Sequence, residues 1–498
     1  MTSLNEIFHL PFVGKVRDSL HGTIAFTEAE RLVIDSPDFQ RLRRVSQTAF
    51  VKYVFPGAVH SRFEHAIGTM HLAGLVYEKV VHNQRRMLEP AGKAHCEELA
   101  STRPALASLQ GVYFHQCVRL AGLVHDLGHP PFSHNSESFL PTWAEFLREL
   151  PALNLPAWIA EPLQRRGQGR GGERLRHEIY TIVLAYGLFS RYPQVFSGEM
   201  IRDIFCILET FLEPAPESPL SRFGLQCLLH EIVSGEVDAD RMDYLLRDTR
   251  QCGVVYGIFD MERIVDSLAF YRADSGSCHL AIRRSGLAAF EDYLRARLSM
   301  YEQVYFHKTS TACQSMLEYA HSLLGGFSLP VHPEEYLALD DGSFHAFAKS
   351  KADLSVAEHV FGLRLLRDSL YDRRLWKRVY EENVPRQHAG FSPTLTGAVS
   401  DLLSRKGVPH KVIENSTTLT RFVPRGRRSD SQNTMRVIVK DIHGQRHLEP
   451  IENHSILVNR LDEENVIRRI FVGRECQDGS PVNLNEVQFL ISSFAGKS

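Results

Sequence analysis

The sequence has no excess of either charge: 57 Lys plus Arg stand against 59 Asp plus Glu, a net charge of −2. A globally basic nucleic-acid-binding chain is therefore excluded, and any such surface has to be local. Paired cysteines are missing as well. The eight Cys are scattered, with no CxxC spacing, which argues for reduced core thiols in a cytoplasmic protein. No apolar run approaches about 18 residues, so no membrane association is expected. The first residues have no basic start and are interrupted by Asn5, Glu6 and Pro11, so no secretory leader is expected. No repeat with a period of about 20–50 residues is present. Histidine, by contrast, is abundant: 24 residues, several of them close to carboxylates.

The patterning predicts a mainly α chain with a smaller C-terminal α+β lobe. Residues 1–60 read as a lead-in, with an extended piece (FVGKVRDSLHG) turning at His21-Gly22. Helical periodicity dominates 61–325, where Phe63, Ile67, Met70 and Leu75 share one face. The Gly- and Arg-rich stretch 163–176 lacks that periodicity and reads as a flexible loop. A helical extension is expected over 326–405. Beyond it, 406–498 is β-branched and alternating, the texture of short strands.

Residues 122–134 read GLVHDLGHPPFSH. A nearly apolar helix is expected to end there, stopped by Gly128 and the prolines. Asp126 in so apolar a setting needs a cation or a strong donor. Further ligands are available: His65 in SRFEHAIG and Asp240 in GEVDADRMDYLLRD. Two imidazoles and two carboxylates make a mixed N/O site, suited to one divalent Mn, Fe or Mg ion, or to Zn. Taken singly, each of these pieces fits a helix-end histidine or a capping aspartate equally well. Their ordered combination does not.

From Lys15 to Lys308, through DSLHG, IDSPDFQRLR, YVFPGAVHSRFEHAIG, AGLVHDLGHPPFSH, DADRMDYLLRD and YFHK, the chain resembles the HD-domain phosphohydrolases. Within them it is similar to the deoxynucleoside-triphosphate triphosphohydrolases. The resemblance implies a helical HD core and metal ligands at His65, His125, Asp126 and Asp240. It also implies water attack on the α-phosphate of a dNTP, giving deoxynucleoside and inorganic triphosphate. His129 and His177 would be catalytic beside the phosphates, with His134 in support. Arg62, Arg241, Arg297 and Lys308 would supply positive charge, and Asp238 a part of the triphosphate or metal shell. Gln47, Tyr244, Asp248 and Tyr305 would contact the sugar. Thr48 and Ala49-Phe50-Val51 depart from the family, which has an apolar residue and glycines there.

Asp35, Gln40 and Arg43 match residues that bind an activating nucleotide in the allosteric relatives. Their bland alternative is a helix cap with solvated charges. The stretch RFVPRGRR (421–428) is a local basic patch that suits single-stranded nucleic acid or a solvated loop. A homo-oligomer is expected by resemblance. Two rival functions stay open: another HD phosphohydrolase, acting on monophosphates, cyclic nucleotides or guanosine polyphosphates, and a nucleic-acid-binding HD protein without turnover.

Overall fold

Six helices carry the candidate site in the computed structural model, which describes residues 10–88, 96–385, 393–416, 435–460 and 465–495. They are α1 (Arg62–Leu88), α2 (Val112–Val124), α3 (His177–Ser190), α4 (Ala239–Cys252), α5 (Leu287–Met300) and α6 (Lys308–Leu323). The 27-residue α1 is about 40 Å long at 1.5 Å per residue and forms the axis of the core. Its buried Met70, Ala73 and Val76 belong to the same core as Cys117, Leu120, Ala121 and Val124 of α2. Each large aliphatic side chain so buried contributes about 1.5–3 kcal/mol.

The extended piece of the lead-in turns at His21-Gly22, as the sequence predicts. Strands β1 (Phe12–Asp18) and β2 (Gly22–Thr27) pair antiparallel across the His21-Gly22 turn. Gly22 has φ +77°, a left-handed conformation that suits glycine. Thr27 and Glu30 then form a reciprocal capping box at the next helix, Glu28–Ile34.

The C-terminal part is α+β, but its strands join earlier ones. Strands β3 (Leu268–Arg272), β4 (Cys278–Arg283), β7 (Arg436–Lys440) and β8 (Arg446–Pro450) form one sheet in that order, with β7 parallel to β4. A second sheet has the order β5 (Lys377–Pro385), β9 (Asn465–Val472), β6 (His410–Ser416). The helix expected through to 405 is thus interrupted by β5. Pairing with β9 decides this: Arg468 is buried between Glu382 and Glu414, at 2.6 and 2.5 Å. The 163–176 stretch also differs from its expected flexible loop. Residues 163–167 finish the helix Ala157–Gly167, and Arg174 bridges to Thr142 and donates to the Leu140 carbonyl at 2.9 Å. The basic stretch 421–428 lies outside the described residues. Among the described residues no helix is long and apolar enough to cross a membrane, and the cysteines are free thiols.

Candidate active site

Helix α2 ends at Val124, so His125 and Asp126 sit in the turn that follows. This frees two adjacent side chains to face one point, which a regular helix would forbid. Gly128 matters here for close approach more than for stopping the helix. A Cβ on it would lie 2.2 Å from the His177 carbonyl and 2.3 Å from the Thr181 amide. Glycine therefore lets the His125-Asp126 turn touch the start of α3. Two consecutive residues, Phe132 (φ +61°) and Ser133 (φ +54°), are left-handed, a strained arrangement for side-chain-bearing residues. The turn aims Ser133 Oγ between the Arg62 Nε donor at 2.9 Å and the Ser46 carbonyl at 2.7 Å.

His65, His125 and Asp126 offer ligand atoms all within 4.8 Å of one another, and Asp240 faces the two histidines. Asp240 Oδ1 is 3.0 Å from His65 Nε2 and 3.5 Å from His125 Nε2. Asp126 reaches the same two nitrogens at 3.5 and 3.3 Å through its two oxygens. Both Nε2 atoms are buried and have no hydrogen-bond partner. Their other nitrogens are committed, His65 Nδ1 to Asp243 at 2.8 Å and His125 Nδ1 to the Gly122 carbonyl at 2.8 Å. Orphaned imidazole nitrogens aimed at paired carboxylates fit a divalent cation, with the tautomers fixed by the second hydrogen bond.

The electrostatics agree. Burial opposes charge on His65, yet Asp240 and Asp243 hold its pKa up to about 10. Burial also opposes ionisation of Asp126, but Arg62, His125 and His129 hold it well below the usual carboxylate range. The cluster therefore retains a positive charge among its carboxylates, which a metal ion can supply in place of a proton.

A supporting layer was not legible as such. Asp243 accepts from Arg247 at 2.8 and 2.9 Å and pairs with His21 Nε2 at 2.7 Å, while Arg247 also reaches Asp18 at 2.8 Å. Gly68, in α1, makes room for them: a Cβ there would meet Asp243 Oδ1 at 2.0 Å.

Beside this cluster stands a histidine group. The rings of His129 and His177 stack at 3.7 Å, and His134 meets His129 edge-on at 4.8 Å. Glu137 accepts from His177 Nδ1 and lies 3.3 Å from His134 Nδ1. Burial and the Arg62 charge keep His129 neutral, whereas Glu178 and Glu137 overcome burial and raise His177 to about 9. His177 is thus held in its charged form at neutral pH. The stability that its charged form contributes is full below the ordinary histidine pKa and is lost as pH rises through about 9. The rate is expected to fall on the basic side through the same value. A pH–rate profile tests this, and one that stays flat from about pH 7 to about pH 10 contradicts it.

A cavity of about 560 Å³ opens over both groups. Arg62, Asp238, Arg241 and Tyr244 line it, as do Gln47, Asp248 and Tyr305. Asp248 accepts from the Tyr305 hydroxyl at 2.7 Å and pairs with His60 at 2.6 Å. Asp238 caps α4: its oxygens accept from the Arg241 and Gly235 amides at 2.6 and 2.7 Å. Arg297 and Lys308 do not line the cavity. Arg297 is buried behind it, with its guanidinium 5.7 Å from the Tyr301 ring, and Lys308 is exposed at the start of α6. Asp35, Gln40 and Arg43 lie outside it too. Gln40 donates to the Ile34 carbonyl at 2.7 Å, Arg43 donates to Gln40 at 2.8 Å, and Asp35 is an exposed C-cap.

Ser133 and Asn415 also line the cavity, and His60 and Glu137 contact Asp248 and His177 beside it, although the sequence did not single them out. Only Glu137 had a signal, three residues after His134.

A family model described as the HD associated region matches residues 259–395. An uncharacterised protein of Methanocaldococcus jannaschii is 30% identical over 305 residues, covering 61% of this chain and 48% of that one. The deoxynucleoside triphosphate triphosphohydrolase SAMHD1 of Bos taurus is 29% identical over 317 residues, covering 61% and 46%. The chain thus spans about half the length of the curated relatives it matches. A crystal structure of a hypothetical protein from Aquifex aeolicus has the same fold, with a TM-score of 0.62 and 24% identity over 97% of this chain and 99% of that one.

Proposed function

We propose that this chain is a metal-dependent dNTP triphosphohydrolase of the HD-domain dNTPase-like family. The observation that carries the reading is the pair of buried Nε2 atoms of His65 and His125, which meet no hydrogen-bond geometry and face the carboxylates of Asp126 and Asp240 at 3.0–3.5 Å. A divalent ion held there by these four residues would polarise the phosphate and lower the pKa of a water. Arg62 and Arg241 bind phosphate oxygens from the cavity wall. Protonated His177, oriented by Glu137, gives its proton to the leaving 5′-oxygen, and neutral His129 backs its ring. His134, its side chain 66% exposed, supports Glu137 from the rim. Gln47 and Thr48 present unpartnered side-chain oxygens for sugar hydroxyls, with Asp248, Tyr305 and Tyr244 close by. Ala49 takes the left-handed φ of +47° where the family has flexible glycines, which stiffens this edge.

A second cavity, of about 680 Å³, favours nucleotide activation as part of this reading. Arg86, Arg283, Arg284, Lys440 and Arg446 line it, without an acidic residue. Five cations lining one cavity suit a polyphosphate, and they suit one better than Asp35, Gln40 and Arg43 do in their local turn.

The test is a panel of dNTPs and NTPs, singly and in pairs, with Mn or Mg, read by product. Inorganic triphosphate and deoxynucleoside are expected. Formation of a nucleoside diphosphate or monophosphate would instead favour one of the other HD phosphohydrolase reactions. Turnover of none of them, with retained single-strand binding, would favour a nucleic-acid-binding protein.

A further inference from the structure

Several buried polar atoms on the cavity wall have no hydrogen-bond partner: Gln47 Oε1, Thr48 Oγ1, His125 Nε2, His129 Nδ1, Glu178 Oε2 and Asn415 Oδ1. His125 belongs to the metal, His129 and Glu178 to the phosphate side beside His177, and Gln47 and Thr48 to the sugar. Asn415 is left over, and it comes from β6, far along the chain from every other group.

Its position is built rather than incidental. Asn415 registers opposite Ile467 of β9. Two residues further along β9, Arg469 donates from Nη1 to the Phe306 carbonyl at 2.5 Å and from Nε to Glu381 at 2.5 Å. This locks the three-stranded sheet to the segment that follows Tyr305. Ser310 and Gln314, one turn apart on α6, line the same cavity. The wall made by Phe306, Ser310, Gln314 and Asn415 is aromatic and neutral, while the phosphate side carries Arg62 and Arg241. A neutral amide offers a donor and an acceptor side by side, which matches a nucleobase edge and matches a phosphate poorly.

We propose that Asn415 hydrogen-bonds the base of the bound nucleotide and so determines which dNTP is preferred. The proposal rests on the dNTPase reading. It makes the C-terminal sheet a part of the active site.

The experiment measures kcat/KM for dATP, dGTP, dCTP and dTTP with the full chain and its Asn415→Ala and Asn415→Asp variants. Calorimetric binding of the same four nucleotides is run in parallel. Asn415→Ala should lower kcat/KM for the preferred nucleotide roughly tenfold and level the ranking, with metal content unchanged. Asn415→Asp should shift the ranking toward dGTP, because a carboxylate can accept from both the N1–H and the amino group of guanine. A wild-type ranking in both variants overturns the proposal. If the wild-type chain turns over no dNTP, the dNTPase reading fails, and the affinity ranking still decides whether Asn415 reads the base. Melting curves guard against misfolding, since the Asn415 side-chain oxygen has no internal partner to lose.

Discussion

Asp126→Ala is expected to abolish triphosphate release, by at least about 1000-fold, and to strip the chain of its divalent ion. One carboxylate serves four neighbours. It lies 3.5 Å from His65, 3.3 Å from His125, 3.2 Å from His129 and 2.5 Å from the Arg62 guanidinium. Its removal takes away a ligand and also leaves Arg62 buried without its charge partner. Arg62 then loses the contact that orients its guanidinium, which the proposed function directs toward phosphate. His125→Ala removes a ligand without disturbing Arg62, so it should lose comparable activity and keep more stability. Product assays and metal analysis on both variants check this. A tenth of wild-type activity in either variant contradicts the ligand assignment.

Asp243→Ala is expected to be the most destabilising single change at the site, by about 3–5 kcal/mol. Asp243 is fully buried and accepts from Arg247, His21 and His65 together. Removing it leaves those donors buried and uncompensated. Burial opposes the charge on Asp243, but Arg247, His21 and His65 hold its pKa well below the ordinary value. Its contribution is therefore present above the ordinary carboxylate pKa and is lost as pH falls below it. Because Asp243 also fixes the tautomer of His65, metal affinity should fall about 10–100-fold. Asp243→Asn keeps the volume and separates the two effects: most of the fold is retained while affinity still drops. Denaturant unfolding and metal titration measure them. An Asp243→Ala variant that unfolds like the wild type would falsify the buried network as a source of stability.

How much of this was legible in the sequence depended on chain separation. The HD pair, RFEH and DADRMDY were readable because buried carboxylates and imidazoles demand a cation and their order matches a family. The spacing of Asp240, Asp243 and Arg247 was visible along one helix, but not what Asp243 would meet. His21, its partner, lies 222 residues earlier on a hairpin whose only local signal was its turn. Glu137 sat within reach of His134, yet its link to His177 depends on α3 returning past Gly128. Arg297 and Lys308 share the expected pattern with Arg62 and Arg241, but the first is buried in its helix and the second is exposed. In β5, the charged residues Glu381 and Glu382 hid a strand that becomes stable only against Arg468 and Arg469 of β9. Asn415 had no sequence signal at all, because nothing local indicates that β6 borders the cavity.

The most direct test of the central claim is hydrolysis of a dNTP in ¹⁸O-labelled water with the metal-loaded chain, followed by ³¹P NMR and mass spectrometry. The account predicts inorganic triphosphate carrying the label on a terminal phosphate, together with unlabelled deoxynucleoside. Labelled orthophosphate with a dNDP, or labelled pyrophosphate with a dNMP, would place the attack on another phosphorus and contradict it.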